Sequence, residues 1–203
     1  MKALKLCLLT VAVMLIASGC LTSPNAFYTE ADVFQDDRII GDYTVEKAEE
    51  GSSVRKDLDH AGRYVFQYFE QGRKRRWIEF TGTLFKVGTN TFVDLLPWND
   101  SYGDHVPGAP PAGLDIIRNI THQPVHAVVR ITITDNGVAF SLPEKRAVAG
   151  LVQRNPAFTN YVRDDAILLL PQSSKELRAL LEKEGDALFP KPTDFKKPKP
   201  LPR

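Results

Sequence analysis

Ala127-Val128-Val129-Arg130-Ile131-Thr132-Ile133-Thr134-Asp135-Asn136-Gly137-Val138-Ala139-Phe140-Ser141-Leu142 is the stretch that decides the fold class. Ala127, Val129, Ile131 and Ile133 fall on one side of an extended chain. Arg130, Thr132 and Thr134 share the other side with Val128. That period of two belongs to a strand with one buried face. Asn136-Gly137 then supplies residues that accept the positive φ angles of a tight hairpin turn. Val138, Phe140 and Leu142 resume the alternation, so the segment reads as an antiparallel hairpin.

Upstream runs repeat the pattern. Arg38 to Val45 carries Ile39, Ile40, Tyr43 and Val45, and Arg63 to Glu70 is dense in aromatic and β-branched residues. Gln71-Gly72 offers a turn into a long run from Arg76 to Val87, in which Gly82 predicts a bulge or bend. Gly88-Thr89-Asn90 turns the chain into Thr91 to Leu96. Downstream, Ala166 to Leu170 reads as a short buried strand ended by Pro171. Ser173 and Glu176 form a capping box for a helix bearing Leu177, Leu180, Leu181 and Leu188, with Gly185 expected to end or interrupt it. A further helix is expected over Glu144 to Gln153. Short connectors between about seven strands favour antiparallel neighbours in chain order. The expectation is a mainly β domain over residues 37–189: an up-and-down meander with a C-terminal helix packed on it. Such a meander either closes as a barrel or remains a strongly curved sheet. This order resembles the lipocalin-like architecture, and Gly41-Asp42-Tyr43 loosely resembles the lipocalin Gly-x-Trp motif, with Tyr in place of Trp. The Gly82–Val87 and Phe92–Leu95 runs also resemble those of uncharacterised envelope lipoproteins. Neither resemblance implies a ligand.

The N-terminus is of a different kind. Lys2 and Lys5 precede the mostly apolar run Leu6 to Ile16, which ends in Ala17-Ser18-Gly19-Cys20. The run is too short for a membrane-spanning helix, which needs about 20 apolar residues, and suits a signal peptide. Residues 1–20 resemble the lipobox of bacterial lipoproteins, with Ala17 where that pattern more often has Leu. The resemblance implies cleavage after Gly19, a diacylglycerol thioether on Cys20 and usually a third chain, palmitate among them. Two or more chains anchor stably, because each buried CH₂ contributes about 0.8 kcal/mol. Leu21, where an Asp would retain such a protein in the inner membrane, points by the same analogy to the periplasmic face of the outer membrane. Residues 20–36, with Ser23-Pro24-Asn25, are expected to be a tether, and 190–203 a disordered Pro/Lys-rich tail with five prolines and five Lys/Arg.

Charge is nearly balanced, with 26 Lys/Arg against 25 Asp/Glu, so no global attraction to nucleic acid is expected. The two cysteines are Cys7, in the leader, and Cys20. A mature domain therefore has no disulfide, no thiol nucleophile and no Cys-based zinc site. His122 and His126 have i, i+4 spacing, but Pro124 interrupts any helix between them; extended, they stand roughly 13 Å apart, too far for one metal. His105 with Asp100 and Asp104 lacks a calcium-loop pattern, and the remaining histidine is His60. No nucleophile elbow or phosphate-binding glycine pattern occurs. Neither an enzyme nor a cofactor is expected.

Two features suggest binding. Arg73-Lys74-Arg75-Arg76 before Trp77 suits an anionic surface such as lipid headgroups. The long segment Pro97 to Thr121 has the length of a binding loop. Phe66, Tyr68, Trp77, Phe80, Phe92 and Trp98 are the candidate residues for an apolar or amphiphilic ligand. The sequence leaves a second reading open: an accessory subunit docking on an envelope protein complex.

Overall fold

The computed structural model describes residues 20–44, 50–70, 76–97, 125–134, 137–155, 158, 162–163, 167–189 and 192–196. The strands are β1 (Cys20–Ser23), β2 (Gly41–Thr44), β3 (Glu50–Lys56), β4 (Arg63–Glu70), β5 (Arg76–Val87) and β6 (Asn90–Pro97). They continue as β7 (His126–Thr134), β8 (Gly137–Ser141), β9 (Val162–Arg163), β10 (Ile167–Leu169) and β11 (Pro192–Lys196). The helices are α1 (Lys145–Arg154) and α2 (Ser174–Leu188).

Strands β2 to β8 pair antiparallel in chain order, and β11 pairs with β8. This is the expected up-and-down meander, with eight strands. It curves back on itself, but β11 meets β2 at one pair only, Lys196 with Thr44. The barrel is therefore not closed along that seam. Where β8 stops, at Ser141 opposite Arg130, β1 takes over the edge of β7. It carries β10 parallel beside it, and β9 beyond.

Period two gives the sheet two buried faces. Leu84, Val93, Val129 and Ile131 belong to the inner core with Ile39, Tyr43, Val54, Tyr64 and Val138. Their chain neighbours Phe85, Phe92 and Val128 belong to an outer core with Val148 and Leu151 of α1 and Leu177, Leu181 and Leu188 of α2. Phe92 lies 5.5 Å from Phe85 and 5.6 Å from Phe189 between ring centroids. Burying one such ring contributes about 1.5–3 kcal/mol. Over β3 to β5 the outer face is polar instead: Ser53 Oγ donates to Gln67 Oε1 at 2.9 Å, and Gln67 also bonds Arg55 and Glu79. The helices thus cover only the part of the sheet that is apolar on both sides.

Several expectations change. The segment 20–36 is not a tether: Leu21, Thr22, Ser23 and Phe27 are buried, and β1 is part of the sheet. The tail expected over 190–203 contains β11, with Pro192 at its first position, where a missing N–H is tolerated. Residues 37–39 form a 3-10 turn, so the strand expected from Arg38 begins only at Gly41. Pairing passes Gly82 with unbroken register, so no bulge forms there. The Phe66 ring occupies the space a β-carbon would need. Helix α2 runs through Gly185, where a β-carbon would meet the Phe92 ring at ordinary contact distance. The Ser173–Glu176 capping box forms as expected, with Ser173 N–H and Oγ donating to Glu176 Oε2 at 2.9 and 2.6 Å.

Candidate functional site

One end of the curved sheet is stoppered from within. The turn Asp37–Ile39 packs across β7 and β8 and places Ile39 in the inner core. Two interior tyrosines hold it. Tyr43 donates its hydroxyl to Ile39 O at 2.5 Å, and Asp36 N–H donates to the Tyr64 hydroxyl at 2.9 Å. Burial pushes the Tyr43 phenol up to about 12, and burial also raises Tyr64. Phe34 N–H donates to Leu84 O at 3.1 Å, and Lys86 Nζ lies 4.6 Å from the Phe34 ring centroid. Tyr43 belongs to the Gly-x-Tyr segment, so the motif residue sits beneath the stopper.

The other end is less covered. Along β4 the inner face passes from buried Tyr64 to half-buried Phe66, and along β5 from Leu84 through Gly82 to half-buried Phe80. On β6, buried Val93 gives way to half-buried Leu95; on β7, Val129 gives way to Ala127; on β8, Val138 gives way to Phe140. Phe66 and Phe80 are cross-strand partners. Together these residues line an apolar mouth above a filled interior. The β4–β5 and β6–β7 connections, which carry the basic run and the long loop of the sequence, both leave from strand ends on this side.

Register sorts the sequence candidates. Tyr68 pairs with Ile78 and Ser52, two residues along β4 from Phe66 and therefore in phase with it. Trp77 pairs with Phe69, out of phase with Phe80. Phe92 is on the opposite face altogether, fully buried against Phe85 and Phe189, and lines no mouth. Arg76 stands opposite Glu70. Arg73, Lys74, Arg75 and Trp98 lie outside the described residues, as do His105 and His122. Cys20 opens β1, opposite Ile167. Sequence reading missed Leu95 and Phe140, although both follow the alternation that identified their strands.

A second cluster, on the outer face, was also missed. Asp94 Oδ1 lies 2.8 Å from His126 Nδ1, while Asp94 Oδ2 accepts the Phe27 N–H at 2.9 Å. Ser23 is the register partner of His126, so a serine, a histidine and an aspartate converge. The Ser23 hydroxyl is fully buried and accepts the Asn25 N–H at 2.9 Å. A nucleophile must reach its substrate, so this cluster is read as the clasp that holds residues 23–28 on the sheet. His60 likewise belongs to a turn, which Asp57 caps by accepting the Asp59 and His60 N–H groups, with His60 Nδ1 3.1 Å from Asp57 Oδ2. Among the described residues no group of three or more His, Cys, Asp or Glu could hold a metal ion, and no helix is long and apolar enough to cross a membrane.

Comparison with protein-family models, curated proteins and solved structures finds no match to this chain.

Proposed function

We propose that this protein is a bacterial envelope lipoprotein, anchored through acylated Cys20, whose β domain takes an apolar or amphiphilic molecule at the open end of its curved sheet. The observation that carries the binding part is the half-buried set Phe66, Phe80, Leu95 and Phe140 beside the buried inner cluster. The anchor part rests on the leader and lipobox. Leu21 is a core residue at 1% exposure, so packing alone explains its identity.

The test is binding by the acylated protein purified from membranes. Native mass spectrometry should find co-purified lipid, or a fluorescent fatty acid should bind and be weakened several-fold by Leu95→Asp. Neither lipid nor binding would overturn the ligand reading. Cys20→Ala should abolish labelling by palmitate and release the protein from membranes; unchanged labelling would sink the anchor.

A second reading, docking on an envelope protein complex, is favoured by the packed interior beneath the mouth. Among the described residues, Ile39, Tyr43, Val54, Tyr64, Leu84 and Val93 are buried together below it. Recovery of one envelope partner, lost in Leu95→Asp, would decide for it.

A further inference from the structure

We infer that acylated Cys20 holds this domain directly against the bilayer in one orientation, with the flank formed by β1, β10 and β9 facing the lipid headgroups. The inference rests on the lipidation proposed above and adds what the chain after Cys20 does. A lipid anchor usually leaves its domain free when a flexible spacer follows. Here Cys20 is itself paired in the sheet, opposite Ile167. The next residue, Leu21, is a core residue whose Cα stands about 3.8 Å from that of Cys20.

Attachment continues along the whole segment. Thr22 O accepts the Leu170 N–H at 2.8 Å, and Asn25 Nδ2 donates to Gln172 O at 2.9 Å. Phe27 is fully buried, with its N–H on Asp94. Arg178 Nε of α2 donates to Asp32 Oδ1 at 2.7 Å, and Val33 bridges to Phe85. Slack could be gained only by stripping β1 from β7 and β10, which would expose Leu21 and Phe27. The occupant of the flank is therefore the bilayer that holds the acyl chains of Cys20. Strands β10 and β9 lie about 5 and 10 Å from β1 across the sheet, within reach of the same headgroups.

The maturation chemistry makes the test clean. Cys7 leaves with the leader and Cys20 is blocked by its thioether, so an added cysteine is the sole reactive thiol. Leu58→Cys, at a hairpin tip and 97% exposed, and Lys175→Cys, exposed at the start of α2, each receive a donor dye. The full acylated chains are placed in vesicles of phosphatidylethanolamine and phosphatidylglycerol carrying a headgroup acceptor. Each site should report its own fixed distance to the headgroups. Inserting about ten Gly/Ser residues between Cys20 and Leu21 should add up to about 15–20 Å and bring the two distances together. Equal distances at both sites in the native chain, or no change on insertion into a folded variant, would overturn the inference. If the insertion prevents folding, the native pair of distances still decides. Absence of acyl mass on Cys20 would remove the anchor reading itself, and this orientation with it.

Discussion

Phe66 closes over Gly82 so tightly that a β-carbon on the glycine would fall 2.3 Å from the ring Cε2 and 3.0 Å from Val93 Cγ2. The ring belongs to the mouth and the glycine to the wall beneath it. Gly82→Ala should therefore destabilise the domain by about 1–3 kcal/mol through overpacking. Urea unfolding measures this, and Phe66→Leu in the same chain should recover part of the loss.

Gly185 gives the opposite expectation. A β-carbon there would lie 3.4 Å from Phe92 Cζ, at the near edge of ordinary contact, and the residue is inside α2. Gly185→Ala should raise stability by about 0.5–1 kcal/mol through helix propensity. The midpoint of thermal unfolding should rise accordingly.

Asp94 is a buried acceptor serving two donors on other segments, Phe27 N–H and the His126 ring. Asp94→Ala leaves the Phe27 N–H unpaired in an apolar setting and should cost about 2–4 kcal/mol. Asp94→Asn keeps one acceptor oxygen and should cost less. Faster amide exchange at Phe27 and its neighbours would locate the loss.

The interior tyrosines fix an alkaline limit. Tyr43 is raised to about 12 from 10.0 by burial, and Tyr64 is raised for the same reason. A phenol whose folded value lies above its unfolded one favours folding below the unfolded value; the advantage is lost as pH rises towards the folded one. Stability should hold up to about pH 10 and fall between roughly 10 and 12. Of the six tyrosines, these two should form tyrosinate late in an absorbance titration, or only on unfolding. Tyr43→Phe should remove one late step and shrink the alkaline loss.

Strands β4 to β8 were legible because each carries enough alternating apolar residues to announce its buried face. β3 was not: Glu50-Gly51-Ser52-Ser53-Val54-Arg55-Lys56 has one large apolar residue, and its place is set by β2 and β4 on either side. β1 and β11 are decided at longer range. Thr22 and Ser23 look like tether, and Pro192-Thr193-Asp194-Phe195-Lys196 looks like tail, until the edges of β7 and β8 supply partners. The glycines misled for a related reason, since a local reading sees a break where a distant ring fills the space. Parity alone separates Phe92 and Trp77 from Phe66 and Phe80 once the β4–β5 and β5–β6 registers are known. The mouth was thus half legible. The Asp94–His126 clasp was not, because its residues belong to strands joined by a long connection.

The seam has a consequence for the order of events at synthesis. β11 covers the edge of β8 and touches β2 at one pair, yet it follows both helices. The edge of β8 must wait for roughly 50 further residues, about 3–10 s of translation at ordinary rates, before β11 pairs with it. Through that interval β8 offers unpaired backbone to any other extended chain, and β2 continues to do so along most of its edge in the finished fold.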